Sequence, residues 1–182
     1  VNSSTREVFQ FSLNYESNNS ISSFLVPGLV ISKGTSLYGS FDSDSRKLEA
    51  SFLTPGIEYK QYSAKGLSAD IGKSGEIFKG RLYANSFWID SLNFDQPDVD
   101  IEAYNDFVDL KTGWFGAKGN TSAQLELHAD FIDIDHFIVE LEPGYFNIND
   151  LKWEIDEKAT LEKDSASMTF NGFRIHSDIQ TV

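Results

Sequence analysis

The chain has 182 residues and a formal charge of −13, from 28 acidic and 15 basic side chains. That balance excludes a nucleic-acid surface, which needs a basic face to neutralise phosphates, and it disfavours adhesion to anionic headgroups. Cysteine is absent, which removes disulfides, thiolate metal sites and thiol nucleophiles together. No run approaches the length of a membrane span, VNSSTREV is not a signal peptide, and a chain opening on Val1 reads as a piece of a larger one.

With 15 Phe, 7 Tyr, 3 Trp and a single Met, the composition favours pleated sheet over helix. Period-two alternation then runs the length of the chain. Phe9, Phe11, Leu13 and Tyr15 form a first strand, and residues 20–26 read as a short helical turn capped by Ser20 ahead of Pro27-Gly28. Leu37, Gly39 and Phe41 lead into a hairpin turn at Asp42-Ser43-Asp44-Ser45, and Leu48, Ala50 and Phe52 leave it. Pro55-Gly56 separates these from Ile57 and Tyr59. Leu67, Ala69 and Ile71 end at an expected turn over Gly72-Lys73-Ser74-Gly75. Phe78, Gly80, Leu82 and Ala84 follow, then Val99, Ile101 and Ala103 after Pro97, then Val108 and Leu110, then Trp114. Leu125, Leu127, Ala129 and Phe131 alternate until the phase slips near Ile132 and Ile134, as a bulge or corner would cause. Val139 and Leu141 stop at Pro143-Gly144, and five further short runs end at Ile175. The expectation is one continuous all-β unit over residues 1–182, of about a dozen short strands joined by short turns.

Each such strand has one apolar and one polar face, and the apolar face must be covered. Three arrangements do this: a closed β-sandwich, a barrel, or a long curled sheet whose trough stays apolar and receives an apolar ligand. Composition by itself favours the sandwich. The recurrence of Phe and Leu at even depth in strand after strand favours the open trough.

The sequence offers little catalytic chemistry. It has no Gly-x-Ser-x-Gly elbow, phosphate loop or dinucleotide fingerprint, and the expectation is a protein that is not an enzyme and holds no cofactor. His128 and Asp130, within HADFIDIDHF, could approach a metal, but no ligand spacing supports a site, and a solvated strand face explains them better. Asp42-Ser43-Asp44-Ser45-Arg46 lacks the glycine and distal glutamate of a calcium loop. Trp88, Trp114 and Trp153 could stack on sugars if exposed, which would suit an extracytoplasmic sandwich module binding glycan or protein.

One resemblance cuts across these alternatives. Gly34-Thr35-Ser36-Leu37-Tyr38-Gly39-Ser40-Phe41-Asp42, preceded by an apolar strand after Pro27, resembles the Gly-Thr-x-Leu-x-Gly-x-Phe-Asp pattern of TamB-type translocation and assembly module proteins. Phe146 to Ile155, with its Asn and Trp-x-Ile, and Met168 to Phe173 are similar to two further strands of that family. The departures are Gly172 between Asn171 and Phe173, and Asp156-Glu157 where the family carries a Pro. The resemblance implies an internal segment of a β-taco trough in a parent anchored in the inner membrane of a Gram-negative bacterium. It implies a place in the periplasm, phospholipid acyl chains as cargo, adjoining segments of the same parent chain as neighbours, and a TamA-type outer-membrane barrel docking elsewhere. The groove would be walled by Phe9, Phe11, Leu13, Leu37, Phe41, Leu48, Phe52, Ile57, Tyr59, Leu67, Ile71, Phe78, Leu82, Val99, Ile101, Leu125, Leu127, Val139 and Leu141.

Overall fold

A computed structural model describes residues 6–16, 26–115, 121–133, 135–148, 151–177 and 180–181. Seventeen strand segments join into one antiparallel sheet that does not close on itself. The first rung is β1 (Val8–Tyr15). The second is a broken strand, β2 (Leu29–Ile31) in line with β3 (Thr35–Asp42), and β1 pairs with β3. Both halves pair with β4 (Lys47–Tyr59), which pairs with β5 (Tyr62–Ser74). Next come the in-line pair β6 (Ile77–Tyr83) and β7 (Ser86–Ile89), then β8 (Leu92–Tyr104), β9 (Phe107–Phe115) and β10 (Thr121–Phe131). The far rungs are again broken in two. They are β11 (Phe137–Leu141) with β12 (Gly144–Ile148), β13 (Leu151–Ile155) with β14 (Ala159–Lys163), and β15 (Met168–Asn171) with β16 (Ile175–Ser177), followed by β17 (Gln180–Thr181).

Nearly every rung is interrupted or kinked near its middle, and the interruptions line up into a crease that divides the sheet into two arms. The side chains on this line are small. Thr35, Thr54, Ala64, Ala84, Ala123 and Ala159 are buried, while among the described large apolar residues Ile155 alone is. A sheet can bend sharply only where opposing side chains do not collide, and small residues meet that condition. Gly66 shows the constraint most directly. It adopts φ +57°, and a Cβ there would stand 2.2 Å from the Asn85 amide nitrogen. The neighbouring rungs close over the same point, with Asn85 N–H donating to Lys65 carbonyl at 2.9 Å and Ala84 N–H to Pro97 carbonyl at 3.1 Å. On the first rungs the crease is held by hydroxyls. Thr35 Oγ1 donates to Ser32 carbonyl at 2.7 Å and lies 2.6 Å from Thr54 Oγ1. Thr54 Oγ1 in turn lies 2.8 Å from Gly56 carbonyl oxygen and accepts Gly56 N–H at 3.3 Å.

Several expectations from sequence are corrected here. Pro55-Gly56 does not separate two strands: β4 runs through it, and the apolar parity shifts there from even to odd positions. Gly72 and Lys73 are not in a turn, because β5 continues to Ser74 and only Gly75 and Glu76 reverse the chain. Both residues are paired on each side, to β4 and β6, and those ladders outweigh the local glycine preference. Pro97 likewise sits inside β8, at a register shift between Asp95 and Asp98, a position in which a strand tolerates proline. The phase slip near Ile132 is a strand end: β10 stops at Phe131, and a loop with Ile132 N–H and Asp133 N–H both on His136 carbonyl leads to β11. The hairpin at Asp42 forms as read, with Asp44 N–H on Asp42 Oδ1 at 3.1 Å. Of the expected helical turn, residues 20–25 lie outside the described residues, and Val26 stands in a bend whose carbonyl accepts Leu29 N–H. No helix occurs among the described residues.

The closed sandwich does not form. The chain exposes 12324 Å² of surface, whereas a compact monomer of its mass exposes roughly 8,800 Å². A second layer over the apolar face would remove that excess. The curled open sheet is therefore the architecture, with eleven segments from β1 to β15 stacking along one arm over about 50 Å.

Replacing Thr54 by Val keeps the shape of the side chain and removes the hydroxyl that joins Thr35 to Gly56. The expected result is a loss of about 1–3 kcal/mol in denaturant unfolding with an unchanged slope. Undiminished stability would show that packing alone holds the bend.

Candidate functional site: an uncovered apolar wall

Directly opposed residues of an antiparallel pair share a face, so the register traces the wall rung by rung. One line runs Phe9, Phe41, Leu48, Lys73, Phe78, Ala103, Val108, Ala129, Val139, Leu161 and Phe170. A second runs Phe11, Gly39, Ala50, Ile71, Gly80, Ile101, Leu110, Leu127 and Leu141. A third runs Leu13, Leu37, Phe52, Ala69, Leu82, Val99, Thr112 and Leu125. Beyond the crease, Leu67 lies opposite Thr54, Ile57 opposite Ala64, and Tyr59 opposite Tyr62. All nineteen wall positions expected from sequence thus fall on one face. They are not sealed: Phe9 is 53 % exposed, Leu13 55 % and Ile71 40 %.

The wall deepens beside the crease into a cleft of about 500 Å³. Five of the nineteen line it: Ile57, Tyr59, Leu67, Leu82 and Val99. The rest of its surface comes chiefly from Tyr62, Phe87, Ile89 and Phe94, which the sequence reading passed over, and from Trp114, which it weighed only as a sugar-stacking residue. Phe94 meets Trp114 edge-on with centroids 5.3 Å apart, and lies 6.1 Å from Phe87. The available signal was the alternation of Phe87 and Ile89. It is only four residues long, in β7 (SFWI), and its continuity with β6 is visible only once both are seen to pair with β8. Trp114 and Trp153 belong to the apolar face, the latter opposite Phe146, and Trp88 points to the other side, opposite Ser63 and Asn93.

That other face is a lattice of charge. Arg81 donates to Asp98 at 2.7 Å and lies 3.7 Å from Asp100; Lys79 pairs with Glu102, Lys111 with Glu126, and Lys158 with both Glu140 and Glu142. Apart from Asp98, these residues line a depression of about 1320 Å³. Exposed pairs of this kind each contribute little to stability, but they keep the outer face wet and leave the apolar wall as the surface without an aqueous role.

His128 and Asp130, weighed from sequence as metal ligands, lie on this charged face. His128 Nδ1 is 2.6 Å from Asp109 Oδ1 and its Nε2 is 3.3 Å from Asp130 Oδ2. His136 is elsewhere, 4.0 Å from Glu162. A second histidine group, which no spacing announced, joins His176 to Asp156 at 2.9 Å and Glu154 at 3.5 Å, with Lys152 also paired to Glu154. The hydrogen bond to Asp109, reinforced by the charges of Asp109, Asp130 and Glu140 against a small desolvation cost, raises the His128 pKa above its ordinary value.

The fold and its site define a class: a creased, single-layer antiparallel sheet with one charged face and one uncovered apolar wall. Comparison with family models, with curated proteins and with solved structures gave no match to this chain.

The raised pKa of His128 carries a sign. Its contribution to stability is complete below the unfolded value near 6.5 and is lost as pH rises through the higher folded value. Thermal melts across that window should fall for the native chain by an amount equivalent to about 0.2–1 kcal/mol, and stay flatter for His128→Gln. Identical pH profiles would show the histidine pair to be energetically silent.

Proposed function

We propose that the apolar wall seats phospholipid acyl chains and passes them along the trough, with headgroups held in water at the open seam. One observation carries this reading: an apolar wall eleven rungs long, interrupted on one line by Lys73, with no layer over it and a cleft of about 500 Å³ beside the crease. Large uncovered apolar surfaces on a protein mark binding sites for apolar partners. Each methylene taken from water contributes about 0.8 kcal/mol without needing a specific hydrogen bond, so a hydrocarbon tail can slide from rung to rung with little change in energy. The work asks for no catalytic residue, cofactor or metal. The TamB-like motifs around Gly34–Asp42 and Phe146–Ile155 support the same reading, and with it a setting in the periplasm between inner and outer membranes. Adjoining segments of a longer parent would extend the wall there, and the parent would support outer-membrane assembly with a TamA-type barrel that docks elsewhere on it.

The test is direct. Protein purified without detergent should yield phospholipid on organic extraction and should enhance the fluorescence of an apolar dye in the folded state. Val99→Arg, in the cleft, and Leu127→Arg, farther along the wall, should each reduce bound lipid at least tenfold, because an unpaired charge set into hydrocarbon costs several kcal/mol. Ser68→Arg, on the opposite face, should leave it unchanged. Lipid-free protein, or equal lipid in all three variants, would overturn the proposal.

A further inference from the structure

We infer that one rim of the trough reads the headgroup: Lys73 and Lys163 take the phosphate of a zwitterionic phospholipid, and the carboxylates of the turns beyond them take its ammonium. The inference rests on the acyl-chain reading above and adds the headgroup class to it. The chain has 28 acidic residues against 15 basic, yet among the described residues no strand carboxylate falls on the apolar face. Two strand lysines do. Lys73 lies opposite Leu48 and Phe78. Lys163 lies opposite Phe137 and Met168, two residues along from Leu161.

Both lysines stand at the same rim. Lys163 ends β14, and Lys73 is one residue from the end of β5. Lys73 and Leu161 belong to one line of the register, and Lys163 is the next position outward from it. A lysine so placed lays its aliphatic stem on apolar surface and carries its ammonium to the water's edge. Lys163 Nζ is 5.6 Å from the centre of the Phe137 ring. It gives one N–H to the Asp135 carbonyl at 3.1 Å, with an Asp135 carboxylate oxygen at 3.8 Å, and two donors remain. Lys73 is exposed. The two lysines are six rungs apart, about 29 Å at the usual strand spacing. One headgroup cannot span that distance, so each lysine is a station of its own.

Beyond the lysines the rim becomes acidic. Asp44, Glu76, Asp106, Asp133 and Asp164 occupy, in that order, the turns joining β3 to β4, β5 to β6, β8 to β9, β10 to β11 and β14 to β15. Arg46, 3.5 Å from Glu76, is the only lysine or arginine in those turns. Asp164 also accepts the N–H groups of Ala166 and Ser167, while Asp44 and Asp106 are exposed to solvent. From the wall outward the order is therefore hydrocarbon, ammonium, carboxylate. A phospholipid that ends in an amine has the order hydrocarbon, phosphate, ammonium, so each of its charges meets the opposite one, through charge-assisted hydrogen bonds. A purely anionic headgroup satisfies the lysine and then faces carboxylates. A diacylglycerol leaves the lysine without an anion.

The test offers the native chain vesicles of phosphatidylethanolamine, phosphatidylglycerol and diacylglycerol in equal parts with matched acyl chains, and counts the lipid on the re-isolated protein by mass spectrometry. Phosphatidylethanolamine should exceed each of the others by about threefold, the scale of one exposed ion pair. Lys73→Met with Lys163→Met keeps the apolar stems and should abolish the advantage over diacylglycerol, whereas Lys73→Arg with Lys163→Arg should retain it. Asp44→Asn with Glu76→Gln and Asp106→Asn should abolish the advantage over phosphatidylglycerol. Circular dichroism checks that each variant is folded, and the ratios of the native chain need no variant. Inorganic phosphate in excess should displace no lipid, because without tails nothing seats it at the rim; displacement would make this a free-phosphate site and overturn the inference. Equal uptake of the three lipids, or ratios unmoved in the methionine variant, would overturn the headgroup assignment and leave acyl-chain binding standing. Uptake of none of the three would overturn both.

Discussion

The hydroxyls of Thr35 and Thr54, 2.6 Å apart and both buried, stand at one end of the line on which the molecule depends. Along that line the sheet turns a corner, and it can do so because alanine, glycine, serine and threonine occupy it. A sheet of one layer has no opposing layer to press against. Its shape must come from the backbone, through positive φ at Gly66, a register shift at Asp95–Asp98 and chain breaks in the divided rungs. Where a globular protein buries its largest side chains, this one, among the described residues, buries small ones with the exception of Ile155. The large apolar residues flank the crease and stay half open.

That inversion links stability to function. Burying apolar surface is the main term that favours folding, and a half-open wall leaves part of it unused. The cross-strand ladder and the aromatic contacts on the wall must make up the difference. Surface left unburied in folding is surface available to a ligand. In the reading proposed above, a hydrocarbon tail takes the place of the missing layer.

The division of faces was legible from residues alone. Phe9, Phe11 and Leu13 alternate with Gln10, Ser12 and Asn14, and an alternation of that kind allows only one side to be apolar. All nineteen wall positions came from this reasoning, and their cross-strand neighbours keep them together. The far side of the cleft was harder. Phe87, Phe94 and Trp114 lie in short runs or next to breaks, and their membership of the wall follows only from the partners of β7, β8 and β9. His176 joins Glu154 and Asp156 from a different strand, twenty or more positions away, and no local pattern could announce it.

The order of residues by itself determined that this chain is a sheet and which face of each strand is apolar. These follow from side-chain period and residue type, which are local properties. Tertiary structure decided whether Pro55-Gly56, Gly72 and Pro97 reverse the chain or merely bend it, and whether a second layer closes over the wall. A glycine or proline lowers the cost of turning but does not set its angle. The angle is set by the strands hydrogen-bonded on either side, and those partners lie far away in the chain.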